Sequence, residues 1–330
     1  MLTRRCFSQL SAALLPTLGG ASSAWAQAGK DAVPDLARII SGFPAGGTAD
    51  ALARRVGDRM RGQYAASVVV DNKPGAGGQI GVLTLRDSPA DGTSLLITPS
   101  SMLSIYPYTY PKLRYTLDDV TPVSLGAMFD HGLAVGPGVP ESVRTLADLL
   151  DWMRANSGSA NYGSPGAGSM PHMVGVLLGQ FAKIDMRHIA YRGTVPGMQD
   201  LLGGQIPAFW GPTGDYLQHS KGGKLRVLAI AGARRSAFLP QVPTLTELGY
   251  PLKVSEWYGF FLPGKASADT VQRASRALQA ALVHPEVVDY GKQYGLEVKP
   301  SSAAQLVQML KADADQWRSL IKQTGFTAES

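Results

Sequence analysis

Five times along this 330-residue chain, a short run of β-branched or apolar residues ends in a turn dense in Gly, Ser and Thr. These turns occupy 43–50, 72–81, 98–102, 162–172 and 191–196. Strand patterns cover 36–41, 67–71, 95–97, 133–135, 187–191, 206–210 and 227–231, and helical patterns cover 49–60, 145–156 and 170–181. Strands that alternate with helices predict mainly parallel sheets covered by helices, an α/β fold. Past 269 the pattern turns helical: Val271, Ala274, Leu278 and Leu282 mark one apolar face, and Leu306, Leu310, Trp317, Leu320 and Ile321 another. Single hydrophobic cores stop growing near 250–300 residues, so a chain of this length is expected to form two lobes. There is no repeat or low-complexity linker, which points to lobes joined by strands or short crossings rather than by a tether.

The first residues read as an export signal over 1–26. Arg4-Arg5 precedes an apolar stretch at 10–18, followed by the small-x-small site Ala24-Trp25-Ala26. The stretch falls short of the roughly 20 residues that span a bilayer. Thr3-Arg4-Arg5-Cys6-Phe7 also matches a twin-arginine motif, so both export routes stay open. Cys6 is the only cysteine and lies inside that segment, so the exported chain is expected to have no disulfide, thiol nucleophile or thiolate metal site. Without Arg4 and Arg5, 29 of the 31 basic residues remain against 25 acidic ones, a mild excess of +4. Its densest clusters are Lys221-Gly-Gly-Lys224-Leu-Arg226 and Arg234-Arg235. No basic run is interleaved with aromatics, so nucleic acid is not an expected partner. The excess does suit an anionic small molecule.

The glycine turns supply the chemistry for such a ligand. Glycine lets backbone approach a bound group, and a following helix presents unpaired N–H groups at its positive end. This arrangement holds a carboxylate or phosphate without an arginine. Each turn taken singly also reads as plain punctuation between a strand and a helix, with Thr48 as an N-cap and Asp50 favouring its helix start. Enzymatic motifs are weaker. Ile80 stands where a dinucleotide fingerprint beginning at Gly75 needs glycine, no phosphate-loop motif occurs, and Ser164 lacks a hydrolase elbow. The histidines at 131, 172, 188, 219 and 284 have no metal-ligand spacing, so neither metal nor cofactor is expected.

In order and spacing, these segments resemble the Bug family of extracytoplasmic solute-binding proteins, associated with tripartite tricarboxylate transporters. The resemblance rests on Phe-Pro-Ala-Gly-Gly-Thr-Ala-Asp (43–50), Asn-Lys-Pro-Gly-Ala-Gly-Gly (72–78), Ala-Asp-Gly-Thr (90–93) and Asp-Leu-Leu-Gly-Gly-Gln (200–205). It extends through Gly-Lys-Leu-Arg-Val-Leu-Ala (223–229), Leu-Pro-Gln-Val-Pro-Thr (239–244) and Trp-Tyr-Gly (257–259). It implies a periplasmic-binding-protein clamshell, with one lobe from 27–127 plus 251–330 and the other from 128–250. A monomer of this kind closes on a small carboxylate, with a dicarboxylate or an aromatic acid favoured, and delivers it to the membrane permease subunits. Carried over by position, the first lobe offers Phe43, Ala45, Gly46, Gly47, Thr48, Asp50, Gly75, Ala76, Gly77, Gly78, Ser100, Ser101 and Met102. The second offers Ser164, Gly168, Ser169, His172, Arg192, Gly193 and Thr194.

The chain departs from the family where many relatives carry Phe-Asp after Gly-Gly-Gln, and has Trp210-Gly211 instead. Loss of that acid disfavours a cationic amino group there. Trp210 is expected to add a flat wall that favours an aromatic or longer-chain carboxylate, although strand alternation could place Phe209 in the cleft instead. Two other functions stay open: a co-receptor that presents its ligand to a membrane sensor, and a secreted hydrolase using Ser164 or Ser169 with His172.

Overall fold

The computed structural model describes residues 33–217, 219 and 223–327. The expected export segment, with Arg4, Arg5 and Cys6, lies outside the described residues, as does Lys221.

Two sheets organise the chain. The first contains β1 (Leu36–Ser41), β2 (Ser67–Asn72), β3 (Ser94–Pro99), β4 (Val120–Phe129), β10 (Glu256–Pro263) and β11 (Glu297–Val298), in the order β11-β4-β10-β3-β1-β2. The second contains β5 (His131–Val135), β6 (Asn161–Ser164), β7 (Arg187–Ala190), β8 (Ala208–Pro212) and β9 (Arg226–Ile230), in the order β7-β6-β8-β5-β9. Asp130 alone separates β4 from β5, so the chain passes directly from one sheet to the other and returns between β9 and β10.

These crossings shape both sheets. β1 pairs in parallel with β2 and β3, and β6 does so with β7 and β8. Every antiparallel pairing involves β4, β5 or β10, the strands that carry the chain across. The sheets are therefore mixed rather than mainly parallel, because a strand arriving from the other sheet enters against the prevailing direction.

The helices are α1 (Thr48–Met60), α2 (Gln79–Arg86), α3 (Ser101–Ser104), α4 (Tyr106–Thr109), α5 (Leu146–Ala155), α6 (Met170–Ala182), α7 (Thr194–Leu202), α8 (Thr213–Leu217), α9 (Ala268–Leu282), α10 (Pro285–Gln293) and α11 (Ala303–Thr324). Local chemistry sets several starts. Thr145 and Asp148 form a capping box on α5, and Ser302 and Gln305 form one on α11. α11 buries Leu306, Leu310, Trp317 and Ile321 and packs against α3, β4 and α6, tying the end of the chain to both halves. Among the described residues, no helix is long and apolar enough to cross a membrane.

Candidate ligand-binding site

The glycine turns of the two sheets meet. Within the first half Tyr106 Oη donates to Gly77 O (2.8 Å), and across the halves Tyr110 Oη donates to Ala167 O (2.7 Å). The Met170 amide donates to Ser101 Oγ at 3.1 Å. A Cβ on Gly193 would lie 2.6 Å from Pro44 Cδ, and one on Gly166 would lie 3.2 Å from Gly77 Cα. At Gly193, which also has positive φ, a side chain would force the halves apart, and at Gly166 it would crowd them.

A narrow cavity lies between the turns, with about 50 Å³ open to the centre of a water molecule. Of the residues expected to touch ligand, Phe43, Gly47, Thr48, Gly77, Ser101, Met102, Ser169 and Thr194 line it. Most of the remaining wall is apolar: Pro44, Ala49, Pro99, Tyr106 and Phe129, then Pro165, Gly166, Pro171, Val195, Pro212 and Tyr258. His131 and Glu256 complete it, and no lysine or arginine is present among the described residues of the wall.

Two helix starts face this space. α1 has Gly47 as its N-cap and α7 has Gly193, neither with a side-chain cap bond, and Thr48, Ala49, Thr194 and Val195 of their first turns line the wall. First-turn amides have no partner within their own helix, so both helices bring N–H groups and a partial positive charge to the cavity, although the Thr48 amide already bonds the Asp215 carboxyl. The Thr48 hydroxyl does not cap α1; it bonds Tyr258 Oη at 2.7 Å. Asp215, in α8, faces the Thr48 amide and the Thr194 hydroxyl, and burial pushes its pKa up to about 7. With Ala45 and Gly46 it lines an adjoining pocket rather than the main cavity.

Other expected contacts serve the frame. Burial alone would raise the Asp50 pKa, but bonds from Arg54, the Gly46 amide and Asn72 hold it below the usual carboxylate value. Those bonds, at 2.9 to 3.0 Å, staple the 43–50 turn to the end of β2. Gly75, Ala76 and Gly78 shape the second turn with positive φ, and Ser100 donates its amide to Trp257 O. Arg192 is exposed. Trp210 corrects the expected aromatic wall. It is fully buried in the main core, Phe209 is buried on the opposite face of β8, and it is Pro212 at the strand end that reaches the cavity. Both faces of this strand are covered, so alternation brings neither ring to the cleft.

The serines and histidines do not assemble a hydrolase. Ser164 is fully buried and bonds His188 Nε2 at 2.8 Å, away from the cavity. The Ser169 hydroxyl donates to Gly166 O. His172 Nδ1 accepts the Gly168 amide at 2.9 Å, and its ring stacks on His188 at 3.5 Å. Burial drives the pKa of His172 down to about 2 and that of His188 to about 4, so both rings are neutral. Among the described residues, no group of three or more potential ligands is placed to hold a metal.

Residues 52–326 match the family model described as the tripartite tricarboxylate transporter family receptor. The chain belongs to this receptor family. It is therefore a solute-binding receptor rather than an enzyme. The chain is 32% identical over 282 residues to a UPF0065 protein of Pseudomonas sp., covering 84% of this chain and 83% of that one. It is 30% identical to Protein BugT of Bordetella pertussis, covering 87% and 89%. The structure of the periplasmic binding protein BugD superposes with a TM-score of 0.83 at 28% identity, covering 89% of this receptor and 98% of BugD. A structure of an R. palustris protein with adipate gives a TM-score of 0.83 at 25% identity, covering 88% and 98%.

Three wall positions had no obvious signal in the turns. Phe129 and His131 flank the crossing from β4 to β5, and Glu256 opens β10. An acid set directly before the aromatic run Trp257-Tyr258 is the one mark that could have drawn attention to Glu256.

Proposed function

We propose that this receptor is exported to the periplasm, captures a small carboxylate with an apolar or aromatic body, and passes it to the permease subunits of a tripartite transporter. The observation that carries this reading is the convergence of the uncapped starts of α1 and α7 on one narrow cavity with no lysine or arginine among the described residues that line it. Amides and helix dipoles give an anion a seat there, and the surrounding Phe43, Tyr106, Phe129 and Tyr258 suit an apolar body. The adipate held by the R. palustris relative supports a carboxylate ligand. The lobes we assign are the two sheets with their helices, the boundary expected at 127/128 moving to Asp130 because β4 stays in the first sheet through Phe129, and they swing about that single-residue link and the return between β9 and β10. The expected ligand residues that line the cavity make direct contact, and the others position them.

Mass spectrometry of the receptor isolated under native conditions tests this reading. A co-purified carboxylate released on denaturation is expected, together with loss of uptake of that compound when the receptor is deleted. Retention of only neutral or cationic molecules would contradict it.

A further inference from the structure

A tyrosine outside the cavity holds one of its walls in place. On the second-half side, Pro165, Gly166, Ser169 and Pro171 line the cavity, and Ala167 lies among them in the same turn. That turn is braced from within, so it moves as a unit. The Ser169 hydroxyl donates to Gly166 O at 2.7 Å, and the Gly168 amide donates to His172 Nδ1 at 2.9 Å. Tyr110, directly after α4 in the first half, reaches across and donates its hydroxyl to Ala167 O at 2.7 Å. One helical turn earlier Tyr106, its ring centroid 4.7 Å from that of Tyr110, donates to Gly77 O in the facing turn. Neighbouring tyrosines thus grip one cavity turn from each half. The fit is close: a Cβ on Gly168, which has positive φ, would lie 2.8 Å from Tyr110 Cε2 and 2.9 Å from Thr109 Oγ1. Burial raises the Tyr110 pKa above the usual tyrosine value, so its hydroxyl keeps its proton through the neutral range.

Building on the reading that the two halves swing together over the ligand, we infer that Tyr110 is a positioning residue for capture: its hydroxyl sets how much of the time the cleft stays shut, and so how long a ligand stays. Tyr110 is not among the described residues of the wall, so it acts through the 165–171 turn and not by touching ligand. The crossing bond exists only when the halves meet. In the open form the hydroxyl and the Ala167 carbonyl bond water instead, so the net effect is that of one hydrogen bond, about threefold to tenfold in the closed-to-open ratio.

A thiol reporter in the ligand-free receptor tests this. Met102 lines the cavity and is 1% exposed, and Cys6 is the chain's only cysteine, so Met102→Cys made together with Cys6→Ser gives one thiol that reacts when the cleft opens. Its labelling rate with a small aromatic disulfide follows the open population when opening and closing are fast. Tyr110→Phe keeps the ring and drops the crossing bond, and should raise that rate about threefold to tenfold. Tyr64→Phe is the comparison, because the buried Tyr64 hydroxyl donates to Gly92 O at 2.6 Å within the first half. It should lower the melting temperature about as much as Tyr110→Phe does, yet leave the labelling rate within about twofold of the parent. Equal labelling rates in the two variants would overturn the inference and leave carboxylate capture standing. A reporter that already reacts as fast as a fully exposed cysteine without either change would overturn both, since no cleft would then be closing.

Discussion

The Met170 amide at the start of α6 donates to the Ser101 hydroxyl at 3.1 Å, and that same hydroxyl donates to Glu256. One small side chain thus joins a helix of the second sheet to the first strand that returns from it. Substituting Ser101→Ala leaves the Met170 donor without its acceptor and Glu256 with one donor fewer. A buried group left unpaired costs about 1–3 kcal/mol. The melting temperature should fall by roughly 2–4 °C for each kcal/mol, measured by calorimetry, with a larger loss in ligand affinity than in stability if closure depends on this bond.

Gly42→Ala should loosen the site without touching ligand. An added Cβ would sit 2.5 Å from Gly78 O and 2.9 Å from Gly78 Cα, so the 43–50 and 72–78 turns would have to part. Overpacking of this kind costs about 1–3 kcal/mol. Denaturant unfolding checks the stability, and calorimetry is expected to show weaker binding.

The stacked rings of His172 and His188 predict a pH effect with a defined sign. Their folded pKa values lie below the unfolded value of about 6.5, so the unfolded chain takes up protons first and stability falls as pH drops from 6.5. Asp215, raised to about 7, and Asp313, raised to about 6, act in the opposite sense, since their stabilisation is full below 3.8 and is lost as pH rises through their folded values. Comparison with His188→Gln isolates one ring: between pH 8 and pH 5 the variant should gain roughly 2 kcal/mol relative to wild type. A gap that does not change with pH would contradict the neutral stacked pair.

Ligand affinity should also follow Asp215. Its carboxyl faces the same amide and hydroxyl that line the anion seat, so ionising it repels a bound carboxylate. In a medium of intermediate dielectric that repulsion costs at least about 1 kcal/mol, several-fold in affinity. Affinity for 4-hydroxybenzoate should therefore drop between pH 6 and pH 8 in wild type and stay level in Asp215→Asn.

Particular residues show how much of this was legible beforehand. The β1–α1 unit could be read because apolar periodicity and glycine punctuation agree at 36–60, and α6 could be read from its apolar run after the glycine turn at 162–172, but no strand pattern marked β6. β4 and β10 could not. Pro122 and Gly126 break the pattern of β4, and β10 is buried at every position, so it has no alternation to detect. These two strands carry Phe129, Glu256 and Tyr258, and the part of the wall missed from sequence follows the strands missed from sequence. Trp210 misled for a related reason: its spacing is that of a strand end, but covering elements on both faces of β8 decide where its ring goes.

The central claim is that backbone amides at the starts of α1 and α7 seat a negative group. Thermal stabilisation by 4-hydroxybenzoate and by its uncharged amide, 4-hydroxybenzamide, compares the two forms of one molecule. At a hundred times its dissociation constant the carboxylate should stabilise the receptor by about 2.7 kcal/mol, a shift of roughly 5–10 °C, while the amide at equal concentration should give almost none. Equal shifts from both would contradict the account.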